Sequence, residues 1–163
     1  MKSADIEVEN RATYRKSHAI RLSSHDYASE TPVHLILCAL EGAPFTDAAI
    51  SREVCSAIEF TCQRLGFLLY AYCLMPDHLH VLVSPGSSET HVSQWLQRFK
   101  SYTTRVWQEQ SGCAELWQRS ARDRVVRDRE PLHELAAYIV NNPLRKGLVD
   151  NWSAWPYSKL NVS

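Results

Sequence analysis

Short apolar runs and longer stretches with helical spacing alternate along this chain. The run VHLILCAL, which follows Pro32, and the run from Phe67 to Leu74 are rich in aliphatic or aromatic residues, which is typical of buried strands. Between them, apolar residues recur at helical spacing after Thr46 or Asp47, which can cap a helix, and Gly66 can end that helix. The first part of the chain therefore predicts a strand, a helix and a second strand.

The second part of the chain continues this alternation. A third strand is predicted from His78 to Val83, followed by a helix from about Thr90 to Gln110 and a short strand around Asp123 to Arg127. A last helix is expected to begin at Pro131 and to end at Pro143. This order is that of a ferredoxin-like, split βαβ domain of the α+β class, so we expect an antiparallel sheet with helices on one face.

Length and composition indicate one globular domain. The chain has 163 residues, of which 45% are hydrophobic and 22% charged. Residues 1–31 are polar and aperiodic, so we expect an N-terminal arm followed by one domain over 32–163, whose aromatic tail packs back on the body. No apolar run is long enough to span a bilayer, and no signal-peptide core is visible. The five cysteines form no CxxC pair, so we expect a cytoplasmic protein with reduced thiols.

The net charge of zero is a cancellation between two parts of the chain. Residues 1–89 carry 7 Lys and Arg against 11 Asp and Glu, whereas residues 90–147 carry 10 against 6. Such an asymmetry indicates a polyanionic partner, or else a solvated helix face of mixed charge.

Two histidines stand at alternate positions of the third predicted strand. Successive side chains of a strand point to opposite faces, so His78 and His80 share one face and Leu79 takes the other. Two imidazoles placed in this way can bind one divalent ion or one phosphate. An isolated His-x-His pair is more often structural than functional, so its meaning depends on the rest of the chain.

The last predicted helix carries further chemistry. Tyr138 and Asn142 are four residues apart and hence on one helix face, where a phenol could act as a nucleophile and an amide oxygen could bind a metal. Glu134, one turn earlier, is a competing ligand or base, and Pro143 disfavours helical geometry at the residue before it. Tyr102 is a second candidate nucleophile, but it lies on the apolar stripe of its own helix, so we expect it in the core.

Several stretches of the sequence together resemble a known family. MPDHLHVLVSP, WLQRFKSYTTR and YIVNNPLRKGLV, followed by WPYS, are similar to motifs of the REP-associated tyrosine transposases, which are single-tyrosine HUH transposases of bacterial insertion sequences. The resemblance spans roughly Val33 to Ser158. It implies a single-tyrosine HUH transposase domain over 32–163, with a ferredoxin-like fold, that cleaves and rejoins single-stranded DNA near hairpins through a 5′-phosphotyrosine intermediate. It also implies a bacterial, cytoplasmic protein that acts as a monomer or homodimer.

The resemblance also implies which residues perform this chemistry. His78 and His80 would bind Mg²⁺ or Mn²⁺, Asn142 would be the third ligand, and Tyr138 would be the nucleophile. Arginine and lysine side chains of the basic part would bind DNA by charge, beside aromatic side chains that stack on bases. The DNA-binding residues expected on this basis are Arg98, Lys100, Arg105, Arg119, Arg122, Arg124, Arg127, Arg145 and Lys146.

The sequence departs from the family pattern at two places, and two other functions remain alternatives. Residues 1–31 match the family poorly, and Asp77 stands where an amide or Glu is also common. A non-cleaving nucleic-acid-binding protein could have kept the fold. A histidine- or metal-dependent phosphohydrolase is the other alternative; a histidine-triad enzyme would need a further histidine where Leu82 stands, and a small-molecule hydrolase should be indifferent to Tyr138.

Overall fold

A computed structural model describes residues 30–127 and 129–162 of the chain. The predicted N-terminal arm lies outside the described residues, apart from its last two positions, and its role stays a prediction. No helix within the described part is long and apolar enough to cross a membrane.

The described residues form a five-stranded sheet and four α-helices, together with short 3₁₀ turns. The strands are β1 (Val33–Cys38), β2 (Phe67–Leu74), β3 (His78–Pro85), β4 (Arg122–Val125) and β5 (Ser158–Leu160). The helices are α1 (Ala48–Leu65), α2 (Val92–Ser111), α3 (Leu132–Val140) and α4 (Asn142–Arg145).

The strand order confirms the predicted fold class. The strands lie in the order β4-β1-β3-β2-β5, and every neighbouring pair is antiparallel. The first four strands have the arrangement of a ferredoxin-like domain built from split βαβ units. The fifth strand, at the sheet edge, was not predicted, although the tail does pack back on the body as expected, with Trp155 Nε1 donating to the backbone oxygen of Leu74 at 3.0 Å.

The two faces of the sheet bury different helices. The long helices α1 and α2 cover one face, as expected, and enclose the larger core with Leu35, Leu79 and Val81. The expectation that the helices lie on one face was wrong for the short α3, which covers the opposite face, where Ile139 packs with residues such as Leu82. The even-numbered residues of β3 point to the face that α3 covers. The candidate site lies on this face.

Local capping signals fix most helix ends but not the last one. Asp47 caps α1 by accepting hydrogen bonds from two backbone N–H groups, and Gly66 ends the helix in a left-handed conformation with φ of 70°. The prediction that Pro143 ends the last helix was wrong. The break falls at Asn141, and Pro143 lies in the first turn of α4, where its missing N–H leaves no partner unsatisfied.

The prediction that Tyr102 lies in the core was also wrong. Its side chain is 40% exposed, with its hydroxyl 3.4 Å from Oε2 of Glu53. Thr103 takes the buried place on α2 instead and accepts a hydrogen bond from Trp117 Nε1 at 2.8 Å. Tyr102 therefore lies at the margin of the apolar stripe, on the far side of the sheet from β3's histidines.

Candidate functional site

Three histidines lie together on one face of the sheet. His78 and His80 share a face of β3, as predicted from the alternation of the strand. The antiparallel register pairs Ile36 with His80 and His34 with Leu82, so His34 of β1 points to the same face. His34 was not among the predicted site residues, although a polar residue inside the apolar run of β1 was a visible signal.

The three imidazoles form a series of close polar contacts that begins at a carboxylate. Asp77 Oδ1 lies 2.6 Å from His78 Nδ1, and His78 Nε2 lies 3.1 Å from His80 Nε2. The other nitrogen of that ring, His80 Nδ1, lies 3.0 Å from His34 Nε2. Each ring of this series is therefore fixed by a polar neighbour, and the Nε2 atoms of His78 and His80 converge.

Burial keeps two of these rings neutral. Only 2% of His34 and 6% of His80 is exposed, whereas His78 is half-buried. Desolvation lowers the pKa of His34 to about 4, and the charge of Arg124 adds to this effect. Desolvation also holds the pKa of His80 well below its usual range, with smaller contributions from His34, His78 and Arg145. Neutral imidazole is the form that binds metal ions.

The paired nitrogens fit two adjacent ligands of one cation. Metal–imidazole bonds are about 2.0–2.1 Å long, and two such bonds at roughly a right angle place their nitrogens about 3 Å apart. Within the described residues, no three His, Cys, Asp or Glu side chains are arranged to hold a metal ion. A divalent ion held by His78 and His80 would thus need further ligands of another kind, such as an amide oxygen, water or phosphate.

The helix that carries Tyr138 packs on the same face as the histidines. The α3 residues Ala136 and Ile139 are buried against Cys73 and Leu82, and the register pairs Cys73 with His80. Tyr138 is half-buried at the edge of this cluster. The structure therefore brings the predicted nucleophile to the sheet face of the predicted metal ligands, while Glu134 of the same helix is exposed.

Arg145 connects Tyr138 with Asn142. Its guanidinium carbon lies 3.7 Å from the centroid of the Tyr138 ring, and Nη1 donates to the backbone oxygen of Tyr138 at 2.9 Å. Nη2 donates to Oδ1 of Asn142 at 2.8 Å, and the amide nitrogen of Asn142 donates to the backbone oxygen of Ile139. The oxygen predicted to bind a metal thus already has one partner, although an amide oxygen has two lone pairs.

The residues predicted to bind DNA are distributed over both faces of the sheet. Arg122 and Arg124 lie opposite Ile36 and His34 in the register and share the histidine face. Arg98 and Arg105 line a groove between α1 and α2 on the opposite face. Lys100 donates to the backbone oxygens of Gln118 and Arg119, so its ammonium supports a loop. The remaining predicted residues, Arg119, Arg127, Arg145 and Lys146, are exposed.

Comparison with known proteins identifies similar sequences. A family model described as "Transposase IS200 like" matches residues 27–142. A Haemophilus influenzae protein described as a REP-associated tyrosine transposase is 28% identical over 119 residues, which cover 66% of each chain. The REP-associated tyrosine transposase of Escherichia coli K12 is 26% identical over 93 residues, which cover 56% of this chain and 53% of the relative. The chain thus spans less than two thirds of the length of these curated relatives.

Solved structures share the fold at low sequence identity. A REP-associated tyrosine transposase bound to a REP hairpin superposes with a TM-score of 0.69 at 17% identity, over 88% of this chain and 80% of that one. A Deinococcus radiodurans protein described as a transposase gives a TM-score of 0.52 at 16% identity, over 78% of this chain and 96% of that one. Both comparisons support the ferredoxin-like assignment.

Proposed function

Because the chain belongs to the family of IS200-like transposases, we propose that it cleaves and rejoins single-stranded DNA near hairpins with Tyr138 as the nucleophile. The observation that carries this proposal is the shared sheet face, against which α3, the helix that carries Tyr138, packs and on which the Nε2 atoms of His78 and His80 converge. A solved relative bound to a REP hairpin supports a hairpin as the DNA partner.

The histidine pair and Asn142 are the residues that would hold Mg²⁺ or Mn²⁺. Two neutral imidazoles and one amide oxygen leave open positions for water and a phosphate oxygen. Bound there, the ion would polarise the scissile phosphodiester and reduce the nucleophilicity that the attacking group requires. Asn142 would use the lone pair that Arg145 leaves free.

The chain's own residues would perform the transfer itself. The phenol oxygen of Tyr138 attacks phosphorus and forms a new P–O bond, and the bond to the 3′ oxygen breaks in line with it. The phenol proton is released and the 3′ oxygen takes up a proton, which yields a 5′-phosphotyrosine and a free 3′-OH. Attack by that 3′-OH on the phosphotyrosine reverses the step and rejoins the DNA.

Arg145 and the arginines of β4 would position the partners. The stacked guanidinium of Arg145 restricts the ring of Tyr138 and can also neutralise a nearby phosphate. Arg122 and Arg124 extend from the same sheet face toward solvent and can contact the phosphates of an unpaired strand.

A non-cleaving DNA-binding protein is the second candidate function. It is favoured by one observation, the hydrogen bond from Arg145 that already occupies the amide oxygen of Asn142. The two candidates differ in whether a covalent bond to DNA forms.

Covalent trapping separates these candidates. Single-stranded hairpin DNA labelled 3′ of the expected scissile bond is incubated with the protein and Mn²⁺, and the products are separated on a denaturing gel. We expect a labelled protein band that requires Mn²⁺ and disappears with EDTA. A protein that binds the hairpin in a native gel, yet forms no adduct under any of these conditions, would support the non-cleaving alternative.

Metal binding is tested with matched histidine variants. Changing His78 or His80 to Ala is expected to weaken Mn²⁺ binding strongly in calorimetry, because the variant retains only one of the two imidazole ligands. Changing His133, which is exposed on α3, to Ala serves as the control and should leave the affinity unchanged. Equal Mn²⁺ affinity of the wild-type protein and the His78→Ala/His80→Ala double variant would refute the metal site.

A further inference from the structure

His34 has no role in the proposed chemistry, yet it is the most deeply buried of the three histidines. It is 2% exposed, and its Nε2 lies 3.0 Å from Nδ1 of His80, with the two rings stacked at a centroid distance of 5.2 Å. A buried polar side chain of this kind is normally hydrogen-bonded, since an unpaired buried donor or acceptor destabilises the fold. The contact with His80 is therefore built into the pairing of β1 and β3.

The hydrogen bond between His34 and His80 can run in two directions. If His34 Nε2 carries a proton, it donates to His80 Nδ1, and a neutral His80 must then carry its own proton on Nε2. That proton fills the 3.1 Å space between the Nε2 atoms of His78 and His80. If His80 Nδ1 carries the proton instead, it donates to His34 Nε2, and both Nε2 lone pairs face the shared space.

The second direction is the one that a cation requires. An imidazole binds a metal ion through an unprotonated nitrogen, and the hydrogen bond at its other nitrogen decides which tautomer is present. We propose that His34 is a positioning residue which, by accepting the Nδ1 proton of His80, selects the His80 tautomer that presents Nε2 beside His78 to a divalent cation. This inference rests on the metal site of the proposed function.

Asp77 determines the tautomer of His78 in the same way, by accepting a proton at Nδ1. Its Oδ1 lies 2.6 Å from His78 Nδ1, and an ionised carboxylate can only accept, so His78 carries a proton on Nδ1. His78 and His80 would thus be held by acceptors at both Nδ1 atoms, one a carboxylate and the other a neutral ring. The two partners differ in charge, and only His34 can also donate. The tautomer of His80 can therefore change with the direction of this hydrogen bond, whereas that of His78 cannot.

Nuclear magnetic resonance can read this tautomer directly in the wild-type protein. With ¹⁵N-labelled histidine, long-range ¹H–¹⁵N correlations of the metal-free protein are expected to show a neutral His80 protonated at Nδ1, and added Zn²⁺, a diamagnetic probe, should bind at Nε2. A metal-free His80 protonated at Nε2, in a protein that still binds Zn²⁺, would overturn the inference while leaving the metal site intact. Failure of the wild-type protein to bind either Zn²⁺ or Mn²⁺ would overturn the metal site itself.

Two variants of His34 test its role by calorimetry with Mn²⁺. His34→Leu keeps an apolar volume but has no acceptor, and we expect its Mn²⁺ affinity to fall by about 10- to 100-fold, as is typical when a metal ligand is deprived of its hydrogen-bond partner. His34→Gln restores an acceptor and should bind nearly as tightly as wild type, and His133→Leu is the exposed control. Unchanged affinity in His34→Leu, or an equal loss in His34→Gln, would contradict the inference. If His34→Leu does not fold, the tautomer of the wild-type protein and the His34→Gln affinity still decide.

Discussion

At the residue scale, one guanidinium ties the candidate site together. Arg145 stacks on the ring of Tyr138, donates to its backbone oxygen and donates to the amide oxygen of Asn142. A planar, permanently charged group suits this arrangement because it can stack and donate in its plane at the same time. We therefore expect Arg145 to hold Tyr138 in place as well as to attract phosphate.

Removing this guanidinium should slow the chemical step. Arg145→Gln is expected to reduce the rate of adduct formation at saturating DNA by up to about a hundredfold, because a displacement of about 1 Å of a reacting group can cost that much. Lys146→Gln removes the same charge from the neighbouring exposed position and should leave that rate unchanged. Equal rates in the two variants would mean that the guanidinium of Arg145 does not position Tyr138 for the chemical step.

Residues of the site differ in how far the sequence could predict them. The shared face of His78 and His80 follows from the alternation of a strand, which is a local property. His34 lies 46 positions before His80, and only the register of β1 against β3 brings the two rings together. Arg145 was assigned to DNA because an isolated arginine in a basic stretch gives no sign that it stacks on a tyrosine of the preceding helix.

At the scale of elements, local sequence signals predicted those bounds of helices and strands that tertiary contacts did not alter. The bounds of α1 follow from an acidic cap and a left-handed glycine. The three-residue β5 is too short for a periodic signal and forms only because the edge of β2 is available. The break between α3 and α4 was misplaced, because proline is tolerated in the first turn of a new helix as readily as it ends an old one.

One buried and one half-buried thiol of α1 predict a loss of stability at alkaline pH. Desolvation raises the pKa of Cys62 to about 11 and that of Cys55 to about 12. Both thiols stay protonated in the folded state, whereas the unfolded chain loses these protons near pH 8.5, so the free energy of unfolding falls as pH rises from about 8.5 to 11, by about 1.4 kcal/mol per pH unit for each thiol.

Chemical denaturation at a series of pH values measures this slope. Cys62→Ala removes one titrating thiol and should make the decline of the unfolding free energy between about pH 9 and 11 less steep. Cys113→Ala removes an exposed thiol and should leave the decline as in wild type. Identical slopes in all three proteins would show that the burial of Cys62 does not govern the alkaline limit.

At the scale of the whole molecule, the basic side chains form two separate surfaces. Arg122 and Arg124 belong to the histidine face, and Arg124 is ion-paired there with Glu130. Arg98 and Arg105 line the groove between the long helices on the other face. The sequence predicted a basic half of the chain but could not divide it, since the division depends on which side of the sheet each element packs. A strand of DNA held for cleavage should follow the histidine face.

DNA affinity should therefore depend on one surface more than on the other. The Arg122→Gln/Arg124→Gln variant is expected to weaken binding of single-stranded DNA more than Arg98→Gln/Arg105→Gln does. The slope of log affinity against log salt should become shallower by about 0.7 for each phosphate that the variant no longer neutralises. Fluorescence anisotropy over a salt series measures both quantities, and wild type should bind single strands more tightly than blunt duplex of the same sequence. Tighter duplex binding, or a larger effect of the groove variant, would oppose this assignment.

The most direct test of the account is to identify the residue that becomes attached to DNA. After incubation with hairpin DNA and Mn²⁺, nuclease and protease digestion followed by mass spectrometry should find the nucleotide remnant on Tyr138. Tyr138→Phe should bind DNA and Mn²⁺ like wild type but form no adduct, because only the phenol oxygen is removed. Tyr102→Phe, which changes an exposed tyrosine on the far side of the sheet, should form it normally. A remnant on Tyr102, or an adduct that persists in Tyr138→Phe, would contradict the proposed mechanism.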